Sequence, residues 1–127
     1  MDINLPDVKA EVEAAFARYE QALMANDADA LQGLFWDSPL TIRYGIGENL
    51  HGHHEIGAFR AARSPVGLAR TTSRTVITTY GQDFATASTL FYRETTPGKA
   101  GRQMQTWART PVGWRVVAAH VSVIDAP

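Results

Sequence analysis

Cysteine is absent from the 127 residues, which excludes disulfides, thiolate metal sites and cysteine nucleophiles. Lysine is nearly absent as well: it occurs only at Lys9 and Lys99, so ten of the twelve basic residues are arginine. Arginine is the side chain suited to gripping carboxylates with a two-pronged fork, although a genome rich in arginine codons gives the same bias. Charge of one sign is lacking too, since twelve Lys+Arg stand against thirteen Asp+Glu for a net charge of −1. Such a balance supplies no field to draw nucleic acid or an anionic membrane, and neither is expected as a partner. No apolar run approaches a membrane-spanning length, and Met1 to Pro6 carry neither a basic start nor a long apolar stretch. The expectation is a soluble, cytoplasmic protein that folds as one domain over residues 1–127 around a single core.

From Asp7 to about Ala25, Val8, Val12, Ala15, Phe16, Tyr19, Ala22 and Leu23 recur at the three-and-four spacing of an amphipathic helix. Pro6 and Asp7 suit its first turn, and Asn26-Asp27 can end it and cap a short second helix through Leu31, Leu34 and Phe35. Tyr19 is the exception on the apolar stripe. Its hydroxyl must find either a backbone carbonyl in the core or a ligand.

Pro39 opens a short strand, Leu40 to Tyr44, in which Leu40, Ile42 and Tyr44 share one face and Thr41 and Arg43 the other. The Arg43 guanidinium therefore reaches water or points into a concave space. Gly45-Ile46-Gly47 makes a hairpin or bulge, and Gly52 to Arg63 has the spacing of a third helix, stopped before Ser64-Pro65. His51, His53, His54 and Glu55 lie at its start but lack a fixed ligand pattern, and no metal or other cofactor is expected.

Four extended runs follow: Arg70 to Tyr80, Phe84 to Glu94, Arg102 to Thr110, and Gly113 to Val123. Their breaks are short enough for antiparallel hairpins. The last run is the clearest strand. Strict alternation puts Trp114, Val116, Ala118, His120 and Ser122 on one side and Val117, Ala119, Val121 and Val123 on the other. His120 and Ser122 then read either as satisfied core groups or as the polar floor of a pocket. The Val121 side, apolar throughout, asks for cover by a second copy, giving a homodimer or a higher oligomer built from it. Helices first and a meander afterwards argue for an α+β fold, with N-terminal helices packed in a curved antiparallel sheet. The cone so formed has a mouth suited to a ligand.

With that order of elements, the ending Gly-Trp-Arg-Val-Val-x-x-His-x-Ser resembles the nuclear-transport-factor-2-like (NTF2-like, SnoaL-like) superfamily of cone-shaped domains. Narrower motifs include Ile42-Arg-Tyr-Gly-x-Gly-Glu48, Phe59-Arg-x-x-Arg63 and Gln105-Thr-Trp107. These resemble the branch that travels with amidases and contains the 1,3-dicarboxyurea decarboxylase of cyanuric acid degradation. The resemblance implies a cofactor-independent decarboxylase acting on a small anionic substrate, linked in function to an amidase or allophanate hydrolase. The family's essential tyrosine and arginine fall by motif position on Tyr19 and Arg43. His120 and Ser122 would complete the pocket floor, with Trp36, Phe59 and Trp107 as walls. The same pocket would also serve a non-catalytic small-molecule-binding or accessory subunit of an amidase system. Isomerase chemistry on this fold needs a carboxylate in the cavity, and Glu48, Glu55 and Glu94 all lie near element ends.

Overall fold

The computed structural model describes residues 1–64 and 67–127. Helix α1 runs Pro6–Met24, with Pro6 in its first turn, where the missing N–H costs nothing. Its buried residues are Val8, Val12, Ala15, Phe16, Tyr19, Ala22 and Leu23, the stripe expected from their spacing. Helix α2, Ala28–Gly33, is capped by the Asp27 carboxylate, which accepts from the Ala30 N–H. Strands β1 (Ile42–Tyr44) and β2 (Asn49–His51) form the small hairpin. Helix α3, His53–Ala62, starts after Gly52, whose φ of 90° is one that other residues rarely adopt. The stop expected at Ser64-Pro65 falls partly on residue 65, outside the described residues.

The meander is β3 (Thr71–Tyr80), β4 (Phe84–Tyr92), β5 (Lys99–Thr110) and β6 (Gly113–Asp125). These strands join the hairpin in one curved six-stranded sheet of order β2-β1-β6-β5-β4-β3. Every neighbouring pair is antiparallel except β1 with β6, which run parallel. The fold is thus mixed α+β, with the N-terminal helices packed on the inner face of the sheet. Val12, Ala15, Leu31, Ile56, Ala85, Ala87, Trp107 and Val116 have no accessible surface. Each large side chain among them contributes on the order of 1.5–3 kcal/mol by leaving water.

The structure corrects the expected faces of β6. Register along β5 and β6 is regular from Lys99↔Asp125 to Thr106↔Ala118, then resumes at Trp107↔Val116. Val117 is therefore an extra residue, a β-bulge, and a one-residue insertion exchanges the two faces beyond it. Trp114 and Val116 point inward before the bulge. After it Ala119 and Val121 are buried, while Ala118 and His120 are exposed. Val117, Ala119, Val121 and Val123 thus do not form one outward face.

Candidate active site

Tyr19 is on the buried stripe of α1, and only 3% of it is exposed. Its ring packs against Phe35 with centroids 6.2 Å apart. Arg43, opposite in β1, is buried because strand alternation turns it inward while Tyr44 faces out. The expected pair is thereby brought to the same interior, and Phe59 of α3 joins it. The Arg43 guanidinium lies 5.5 Å from the Phe59 ring centre and that of Arg63 lies 5.9 Å from it, so one ring is in cation–π reach of two cations. A second ring does the same: Phe91 has the Arg70 guanidinium at 4.5 Å and that of Arg93 at 4.8 Å from its centre.

Arg60 completes the set. It stacks on Phe35 at 4.6 Å and is 3% exposed, yet its Nε, Nη1 and Nη2 all lack a hydrogen-bond partner. Five guanidiniums are therefore near enough to one phenol to share its electrostatics. Two have carboxylate partners: Arg43 Nη1 donates to Glu48 Oε1 at 2.8 Å, and Arg70 is tied to Glu20. Arg60, Arg63 and Arg93 have no such partner among the described ion pairs. Glu48 lies near an element end in sequence, yet its side chain reaches into the site through Arg43.

The electrostatic consequences follow from this surplus. Burial pushes the Tyr19 phenol up, but the nearby charges of Arg60, Arg43 and Arg70 outweigh burial and hold it below the ordinary tyrosine value. Arg60 approaches the phenol without reaching hydrogen-bond geometry. Burial also lowers Arg60, and Arg63 is brought down to about 10 by burial and by the repulsion of Arg60 and Arg43. Arg93 is lowered by burial first and by Arg70 next. All remain protonated at neutral pH, so the site holds unneutralised positive charge.

Two amides face the same interior from β5. Gln103 Oε1 accepts from Arg70 Nη2 at 3.0 Å, and Gln105 Oε1 accepts from Trp107 Nε1 at 3.1 Å. Arginine and indole nitrogens can only donate, so these bonds decide which end of each amide is oxygen. The two NH2 groups are left buried and unpartnered. They are free donors for an oxygen. A cleft of about 590 Å³ opens beside Arg70 and Arg93, lined also by Met24, Thr71, Tyr92 and Thr95.

The remaining expected residues divide. Trp107 is a fully buried inner wall that fixes Gln105. Trp36 is half-buried after α2 and held through its backbone, its N–H donating to the Val116 carbonyl and its own carbonyl accepting from Thr41 Oγ1. Among the described residues its ring makes none of the cation contacts of the site. His120 and Ser122 are corrections: the bulge at Val117 turns them to the outer face. There His120 lies edge-on to Tyr44 with centroids 6.3 Å apart, and Ser122 Oγ accepts from Arg102 Nε at 3.1 Å. They form no pocket floor.

Arg60, Arg63 and Gln105 stand in motifs that carry the resemblance but have no site role from the sequence, and neither have Arg93 and Gln103. The signals were there for two of the elements: Arg60 stands four residues after Ile56 on the buried side of α3, and Gln103, Gln105 and Trp107 alternate on one face of β5. Of the α3 histidines, His53 has both ring nitrogens against Gln32, and Glu55 accepts from the His51 N–H. Among the described residues no three His, Asp or Glu side chains are grouped to hold a metal ion. No helix there is long and apolar enough to cross a membrane.

A cone of helices packed in a curved sheet is the fold of the NTF2-like class. The chain is similar to an NTF2-like protein with a cystatin-like fold from Novosphingobium aromaticivorans, with 22% identity, a TM-score of 0.73, and coverage of 98% of this chain and 86% of that one. Within the class the chain belongs to the AtzH-like family, whose model matches residues 1–127. It is similar to a protein of unknown function of the DUF3225 family from Pectobacterium atrosepticum, with 57% identity, a TM-score of 0.95, and 98% and 96% of the two chains covered. A cystatin-like fold protein from Burkholderia xenovorans is 53% identical, with a TM-score of 0.95 and coverage of 100% and 99%. No curated protein matches.

Proposed function

We propose that the protein decarboxylates a small N-carboxylated urea, most simply 1,3-dicarboxyurea to allophanate, without a cofactor. One observation carries this reading: a buried phenol stands among five arginines of which only two are neutralised. A surplus of that size favours a small substrate with more than one negative charge. A phenol held below its ordinary value by those charges is a stronger acid than free tyrosine, and so a better proton donor in its protonated form.

In the reaction the bond between the carboxylate carbon and nitrogen breaks and carbon dioxide leaves. The electron pair stays on nitrogen, shared with the adjoining urea carbonyl oxygen. Tyr19 gives that nitrogen a proton and recovers one from water, so each turnover consumes one solvent proton. The Gln103 and Gln105 NH2 groups are suited to the carbonyl oxygen on which charge develops. Gripping the departing carboxylate equally before and during bond breaking gains nothing for the step, so the arginines act mainly on the carboxylate that stays.

The test is carbon dioxide or allophanate released from freshly generated substrate, measured above a protein-free control because the substrate decays unaided. Release that never exceeds the control refutes the enzyme reading. Retained substrate binding without turnover would then leave a binding or accessory role in an amidase system.

A further inference from the structure

We infer that Arg60, rather than Arg43, receives the substrate's retained carboxylate. The two guanidiniums are in different states. Arg43 already donates Nη1 to Glu48 Oε1 at 2.8 Å, which commits part of its fork and balances its charge. Arg60 has three unpartnered nitrogens and no carboxylate partner, and it is 3% exposed. An unpaired buried guanidinium is costly, and a protein that keeps one does so for a ligand that arrives with the missing charge. The Phe35 ring, 4.6 Å from the guanidinium carbon, holds Arg60 by a cation–π contact that uses none of its N–H donors, which stay available to a planar anion. Arg63, three residues on, has a buried, unpartnered Nε of its own and adds charge on the same side. Arg43 instead orients Glu48 and raises the local potential at Tyr19.

The inference rests on the proposed reading only in taking the anion to be the substrate's own. Its test does not require turnover. Glutarate has the same number of atoms between its carboxylates as dicarboxyurea and is chemically inert. Calorimetric titration with glutarate, butyrate and inorganic phosphate would be run on wild type, Arg60→Gln, Arg60→Lys and Arg43→Gln.

The expected result is glutarate binding to wild type that falls at least about 10-fold in Arg60→Gln and less in Arg60→Lys, with Arg43→Gln losing less than Arg60→Gln. Ligand-free Arg60→Gln should also melt higher than wild type by roughly 2–5 °C, because an uncompensated buried charge is gone. An arginine with a merely structural role would lower the melting temperature when replaced.

The inference is overturned if Arg60→Gln binds glutarate as wild type does, or if Arg43→Gln loses more than Arg60→Gln. Absence of glutarate binding to wild type, or tighter binding of phosphate than glutarate, also overturns it. Arg60-dependent binding of glutarate beside a failed decarboxylation assay would sink the proposed reaction and leave this assignment standing.

Discussion

At the scale of single residues, Tyr19 and Arg43 are set unequal tasks. Tyr19→Phe keeps the ring on Phe35 and removes only the donor, so kcat should fall on the order of 10²- to 10⁴-fold with the fold intact. The pH dependence carries a sign. A donor must be protonated to act, so activity should fall as pH rises through the Tyr19 value, below the roughly 10 of a free phenol. Ultraviolet phenolate titration of wild type minus Tyr19→Phe should show one tyrosine ionising in that window. A lowered folded value favours the phenolate on folding, so the stability that wild type gains over Tyr19→Phe should be absent below the shifted value, grow as pH rises through it, and be full above about 10. An alkaline limb at or above the free-phenol value would contradict the arginine influence. Arg43→Lys keeps a charge near Glu48 but loses the fork and its contact with Phe59, so turnover should drop, and Arg43→Ala should lower it further. Steady-state rates of the two variants that match wild type would remove Arg43 from the mechanism.

At the scale of elements, the helices and hairpins were legible because periodicity and turn residues report on local geometry. The α1 stripe was read residue by residue, and it delivered Tyr19. The face of β6 was not legible, because a bulge is decided jointly by two strands. Nothing in Val116-Val117-Ala118 alone says that Val117 will be skipped by the Thr106 to Trp107 step of β5, and that one residue moves His120 and Ser122 to the outer face. The arginine cluster was hidden for a similar reason: Arg43, Arg60, Arg70 and Arg93 come from four separate segments that only the folded sheet brings together. Gly101 offers a test of how tightly elements hold that cluster. It is the register partner of Phe91, and a Cβ on it would overlap the Phe91 ring, which is itself in contact with both Arg70 and Arg93. Gly101→Ala should therefore cost about 1–3 kcal/mol in denaturant midpoint and weaken glutarate binding through the displaced arginines. An alanine variant with unchanged midpoint and affinity would mean that the ring and its two cations can move at no cost.

At the scale of the whole molecule, the outer face of the sheet decides the state of assembly. The bulge removes Ala119 and Val121 from that face, yet other strands leave it apolar. Met104, Val76 and Phe84 are each 57% exposed there, and His120 and Tyr44 extend the surface. Register places Val76, Ser88, Met104, His120 and Tyr44 in one row across five strands. A broad sheet face with such a row is best covered by an identical face turned through a two-fold axis, since each residue then meets a partner row of the same kind. We therefore expect a homodimer through this face, with the active sites on the far sides of the two sheets. Sedimentation at micromolar concentration should return about twice the 13.9 kDa chain mass. Met104→Glu puts a charge at the middle of the row without touching the core, so it should yield a folded species near 13.9 kDa. Because Arg60, Arg43 and Tyr19 lie on the inner face, that monomer should still bind glutarate, which separates loss of assembly from loss of fold. Wild-type protein sedimenting as a single chain, or a Met104→Glu variant that remains paired, would place the interface elsewhere or remove it.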